Sequence, residues 1–301
     1  MFRKNDLILL LVVFVSMGVG IGLPKFGKIF APYPLYFMMF QLFFSFLSIN
    51  FFQAFQEMKK KVFILLILCL LKLCVIPVGL FLIAEVIWPE YAVPVLLLSG
   101  ISTGVVAPII SGFVEASTSL VLVMVVVSSL IAPLSLPALV SLLAGQTIEI
   151  PFLTMVKILA MVIFLPAAAA ILLRNLYPSI LERLGRFQFP AALLAFASIT
   201  LGVFAKYSSF FLKTPVVVAE TILVAFVLSV IYHTVGFLAT WRMKREDRLA
   251  GAISLAYMNN ILVVAFSSHF FGPLSPALAA LYLLPFFTMI VPARIFGRRM
   301  R

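Results

Sequence analysis

Apolar residues fall in long runs that recur at nearly even intervals along the whole chain. The runs are roughly 7–24, 33–52, 62–87, 92–114, 118–144, 152–173, 188–210, 215–240, 249–270 and 275–296. A helix rises about 1.5 Å per residue, so about 20 residues cross the roughly 30 Å of hydrocarbon in a bilayer. The pattern predicts an all-α membrane protein of ten transmembrane helices, with short linkers and no separate soluble domain. The first run follows a basic start, "MFRKN", as the apolar part of a signal peptide would. It lacks a small-x-small cleavage site before "IGLPKFGKIF" and is read as a retained span.

Composition agrees. Sixty-four per cent of residues are hydrophobic, 11 % are charged, and mean hydropathy is +1.23. A soluble domain of 301 residues could not hide that much hydrocarbon. The net charge of +12 sits in short clusters between the runs, not in a stripe with interleaved aromatics, so no nucleic-acid partner is expected. With the amino end in the cytoplasm, sixteen basic residues (among them Arg3, Lys4, Lys59, Lys60, Lys61, Arg242, Arg245, Arg248 and Arg301) fall at cytoplasmic span ends. Only Lys25, Lys28, Lys206 and Lys213 fall outside. That bias predicts both termini in the cytoplasm and a multi-pass protein of a bacterial inner membrane.

Ten spans divide into two fives, and an odd number per half makes the second half inverted. "GISTGVVAPIISGF" (100–113) is echoed by "AISLAYMNNILVVAF" (252–266), and "IPVGLFL" (76–82) by "HTVGFLA" (233–239). The fourth and ninth spans also read as broken helices that cross. Pro108 removes a backbone donor, which with Gly104 puts a break near 104–108. Asn259 and Asn260 put two carboxamides at mid-depth in the ninth span, where free backbone groups at a break would partner them.

Lys72 is the residue that stands apart. "ILLILCLLKLCVIPVGLFLIAEV" (64–86) is apolar except for this lysine and Glu85 at its far end. The lysine lies at least about 15 Å from either interface, and a lysine stem reaches only about 6 Å, so snorkelling does not rescue it. An ionisable group at such depth marks a functional or structural centre. Cys69 and Cys74 are read as buried small apolar residues, since their spacing makes neither a disulfide framework nor a metal site. The chain shows no nucleophile–histidine–acid set, metal-ligand cluster or phosphate loop. No enzyme activity, cofactor or metal site is expected.

Several stretches resemble the bile acid:sodium symporter family: "LKLCVIPVGLFL" (71–82), "SSLIAPLSLPALVSLLAG" (128–145) and "LAYMNNILVVAF" (255–266). The resemblance implies a panel subdomain (about 7–52 and 152–210) and a core subdomain (about 62–144 and 215–296). It also implies organic-anion substrates bound between the two, beside the crossover, and sodium bound behind it. The chain departs from the family at the sodium ligands. The family's G-T-A-S-N-like run reads "GVVAP" (104–108), two hydroxyl positions read Val121 and Val125, a glutamate position reads Ala256, and a glutamine position reads Lys72. A tethered ammonium at Lys72 would stand in for the ion, solvated around Gly104, Pro108, Ala256, Asn259 and Asn260.

The expected function is a sodium-independent secondary transporter of small amphipathic organic anions, working by alternating access as a monomer or weak oligomer. Asn260, Thr288, Ile109 and Ser111 are the candidate substrate contacts. Proton coupling through Lys72 is the competing role for that residue. The alternatives are a cation/proton antiporter, which would need an acidic residue inside a span, and a non-transporting receptor descended from a transporter.

Overall fold

The computed structural model describes residues 4–47, 49, 56, 61–145 and 151–299. The far end of the second expected span, with Arg3, Lys59, Lys60, Glu149 and Arg301, lies outside the described residues. The helices are α1 (Lys4–Gly22), α2 (Pro34–Leu47), α3 (Val62–Ile87), α4 (Pro89–Gly100), α5 (Ala107–Phe113), α6 (Thr118–Ala144), α7 (Phe152–Leu176), α8 (Gln188–Lys206), α9 (Pro215–Ala239), α10 (Arg245–Ala256), α11 (Asn260–Phe270) and α12 (Leu274–Gly297). Six of them, α3, α6, α7, α8, α9 and α12, are each long and apolar enough to cross a membrane. This is a multi-pass integral membrane protein.

The expected fourth and ninth spans are each two helices, α4 with α5 and α10 with α11. The first break falls earlier than Pro108 suggested. α4 stops at Gly100, and Ile101 turns extended (φ −76°, ψ 159°). Pro108 then sits in the first turn of α5. A missing N–H costs nothing there, because no first-turn N–H has an intrahelical partner. Pro108 therefore starts the second half-helix and does not break the first. The second break follows Ala256, where Tyr257 leaves helical geometry (φ −93°, ψ 89°).

α3 carries a feature that periodicity does not reveal. Residues Leu71–Val75 form a π-turn, in which the N–H of Ile76 reaches back five residues to the carbonyl of Leu71. Pro77 lies directly beyond. Having no N–H to give, and a ring that crowds the preceding turn, it favours the wider register. Lys72 lies within this widened turn.

Packing groups the helices. α1 packs on α8, and α2 packs on α7 and α8; α9 packs on α10, α3 on α4, and α12 on α4, α9 and α11. The first group meets the second where α7 lies against α6 and where α11 lies against α2 and α8. α9 and α10 approach closely enough that a Cβ on Gly236 would lie 2.3 Å from the carbonyl oxygen of Gly251, so neither position admits a side chain without separating the helices. At one end of this second group, Lys61 pairs with Asp247 at 2.5 Å and Arg245 with Glu115 at 3.2 Å, while Arg245 Nε also donates to Gly297 O at 2.7 Å. These contacts tie the starts of α3 and α10 to the α5–α6 loop and the end of α12. Cys69 is buried as expected, but Cys74 is exposed, because it lies two residues, about half a turn, beyond the inward-facing Lys72.

Candidate functional site at the crossing of two broken helices

The two interruptions meet edge to edge. Gly104 N–H donates to Tyr257 O at 2.8 Å, and Asn259 N–H donates to Ser102 O at 3.0 Å, making an antiparallel bridge between Thr103 and Met258. Thr103 N–H goes to Ser128 Oγ on α6 at 3.0 Å. Extended backbone at this depth is tolerated because the neighbouring chain and a serine satisfy it. A Cβ at Gly104 would come within 2.6 Å of Met258 O, so the crossing requires glycine.

The carboxyl end of α10 is the centre of the arrangement. A helix leaves its last four carbonyls without intrahelical partners. Here Tyr257 N–H takes Ile253 O at 3.0 Å, and Thr103 Oγ1 donates to Ser254 O at 2.8 Å. Lys72 Nζ donates to Leu255 O at 3.2 Å, and the Tyr282 hydroxyl donates to Ala256 O at 2.8 Å. Three of the four are therefore closed by side chains from the α4–α5 link, α3 and α12.

Lys72 is only 1 % exposed, and its ammonium also lies 5.8 Å from the centre of the Tyr232 ring. No acidic side chain among the described residues pairs with it. A charge-assisted hydrogen bond, the negative end of a helix dipole and an aromatic face are each worth about 2 kcal/mol in dry surroundings. Together they are comparable with the several kcal/mol that burying an ammonium costs. The group is tolerated here and contributes little net stability.

The end of α10 offers a sodium ion three carbonyls that already accept hydrogen bonds, beside the buried, unpartnered hydroxyls of Ser102 and Ser254. Sodium is a hard cation that requires several free oxygen ligands. The carbonyls of Ser254, Leu255 and Ala256 are each held by a protein donor, one of them a cation. Val121, Val125 and Ala256 are buried and carry no side-chain oxygen.

The asparagine side chains do not take the expected part in solvating Lys72. Asn259 enters the crossing through its backbone N–H, and its side chain makes no cap on α11. The Asn260 carboxamide has no partner at either Oδ1 or Nδ2. Neither side chain bonds to Lys72. Both line a cavity of about 30 Å³, room for a water or two, between the crossing and the α1–α2–α8 group. Its walls include Leu9 and Val13 of α1, Gln41 of α2, Phe196 of α8 and Phe286 and Phe287 of α12, and no charged residue among those described lines it. Gly104 also borders it, whereas Pro108, Ala256 and Lys72 do not.

The other candidates lie elsewhere. Ser111 Oγ donates to Pro108 O at 2.7 Å and to Thr118 Oγ1 at 2.9 Å. Ile109 is 52 % exposed, and Thr288 is exposed with its hydroxyl back-bonded to Leu284 O at 2.9 Å. None of the three borders the cavity. Sequence reasoning passed over Thr103, Tyr282, Tyr232 and Gln41. The available signal was a polar or phenolic side chain inside an otherwise apolar run.

The crossing has the form of a transporter's binding centre: irregular backbone at depth beside a narrow cavity between two helix groups. No curated protein matches the chain. A family model, described as the sodium bile acid symporter family, matches residues 32–214, more than half of the chain. Members are transporters and not enzymes. The chain belongs to the sodium bile acid symporter family.

Proposed function

We propose that the chain is a sodium-independent secondary transporter of small amphipathic organic anions. In this reading ten spans form two inverted halves. A panel of α1, α2, α7 and α8 and a core of the remaining helices alternate in exposing the cavity to either side of a bacterial inner membrane, with both termini in the cytoplasm. The observation that carries the reading is the Lys72 ammonium on Leu255 O, at the carboxyl end of α10. It supplies one positive charge where relatives would use an ion, and it is covalently held. Proton coupling through Lys72 is the variant of this reading that the same experiment separates.

The cavity side supports an anionic substrate. Asn259 and Asn260 begin α11, whose first-turn N–H groups and positive dipole end border the cavity. The cavity is too small for an organic acid in this state, so substrate entry requires the panel to move away from the core.

Proteoliposomes loaded with protein and assayed for counterflow of labelled organic acids test the reading. Sodium, potassium and the pH gradient are varied separately. Exchange that persists without sodium is expected, and Lys72→Gln is expected to abolish it. Strict sodium dependence overturns the proposal. Uptake that follows the proton gradient, and loses that response in Lys72→Gln, selects the proton-coupled variant. Ligand binding without exchange selects a receptor.

A further inference from the structure

We infer that Gln41 is the panel's contribution to the binding site and that the site takes an organic acid bearing a single negative charge. The inference rests on the transporter reading and deepens it.

The cavity gathers three buried polar atoms that have no hydrogen-bond partner: Gln41 Oε1, Asn260 Oδ1 and Asn260 Nδ2. Gln41 and Asn260 are each 3 % exposed. Buried polar atoms in native proteins are almost always paired, and leaving one unpaired carries a real desolvation cost. A group of such atoms facing one space marks where a ligand or its displaced waters belong. Here the two carboxamides come from different bodies, Gln41 from α2 and Asn260 from the first residue of α11.

Their chemistry limits the ligand. α11, with 11 residues, presents one dipole end, equivalent to roughly half a positive charge. No lysine, arginine or histidine among the described residues lines the cavity. That field suits one carboxylate or sulfonate. A second anionic group on the same ligand would be desolvated against Leu9, Val13, Phe196, Phe286 and Phe287 with nothing to receive it. The head group meets α11 and Asn260 on the core side. The Gln41 oxygen only accepts, so Gln41 holds the anion from the panel side by donating from Nε2, its amide turned to the ligand, and Oε1 takes a donor from a water. A ligand held by both bodies stabilises the closed arrangement, which is how its binding would drive panel and core together.

Thermal-shift and titration measurements on the detergent-purified full chain test this. The probes are straight-chain monocarboxylates of four to twelve carbons, the matching α,ω-dicarboxylates and the matching primary amides. At least one monocarboxylate is expected to bind ten-fold or more tightly than its dicarboxylate and its amide. Gln41→Leu is expected to weaken that binding ten-fold or more without lowering the melting temperature of the free protein, and Gln41→Asn to restore part of it. Two outcomes would overturn the inference while leaving the transporter reading standing: dicarboxylates bound as well as monocarboxylates, or Gln41→Leu binding as the parent does. Absence of both binding and counterflow for every organic acid would instead remove the transporter reading itself.

Discussion

A lysine with no acidic partner among the described residues is held in the membrane-spanning interior because a helix ends beside it. Leu255 O is the acceptor, and Thr103 and Tyr282 close the carbonyls on either side. The three donors serve one helix end, so their loss has a predictable cost. Thr103→Val and Tyr282→Phe each leave a buried carbonyl unpaired and should destabilise the protein by about 1–3 kcal/mol, read as a lower melting temperature in detergent. Their effects should not add in the double variant, since both act on one turn. Lys72 itself was legible in the sequence, because a charge in the middle of "LLKLCVIP" conflicts with its surroundings. Its neighbours were not. Thr103 and Tyr282 lie 31 and 210 residues away along the chain, and only the crossing brings them to the same three carbonyls. The asparagines illustrate the reverse error. Their polarity was read correctly, but the side to which they point depends on where α11 begins.

At the scale of elements, apolar run length located the long helices, six of which are apolar enough to cross a membrane, and a proline and a pair of asparagines located the interruptions to within a few residues. The π-turn at Leu71–Val75 left no trace in the hydrophobic pattern, because an extra residue in a wholly apolar helix changes no periodicity that can be seen. Helix ends show how the two groups are joined. At the carboxyl end of α11, Lys206 Nζ donates to Ser268 O at 2.6 Å, and the Tyr207 hydroxyl donates to Phe271 O at 3.1 Å. Both donors come from the end of α8 and the residue after it, so this contact links the α1–α2–α8 group to the crossing. In the variant Lys206→Met/Tyr207→Phe, amide exchange in peptides covering 266–272 should accelerate ten-fold or more. Peptides covering 253–258, held by the core alone, should be unaffected. Equal acceleration in both would mean that the two groups open as one unit.

At the scale of the molecule, family membership and the fold agree on a membrane transporter, and the proposed replacement of a coupling sodium by Lys72 would set this chain apart from a sodium-coupled member. That departure has an energetic consequence. A dissociable ion lends its own gradient to the substrate; an amine fixed to the backbone has no gradient to lend. If the carrier returns empty, one negative charge crosses per cycle, whichever step moves the Lys72 charge. A potential of 100 mV, negative inside, is worth about 2.3 kcal/mol for that charge, roughly a 50-fold bias. Vesicles clamped with valinomycin and a potassium gradient should therefore lose a labelled monocarboxylate faster, and to a lower plateau, when their interior is negative. The proposed replacement of an ion by a tethered side chain would thus favour efflux of the anion from a cell, where the same fold with a coupling ion could accumulate it.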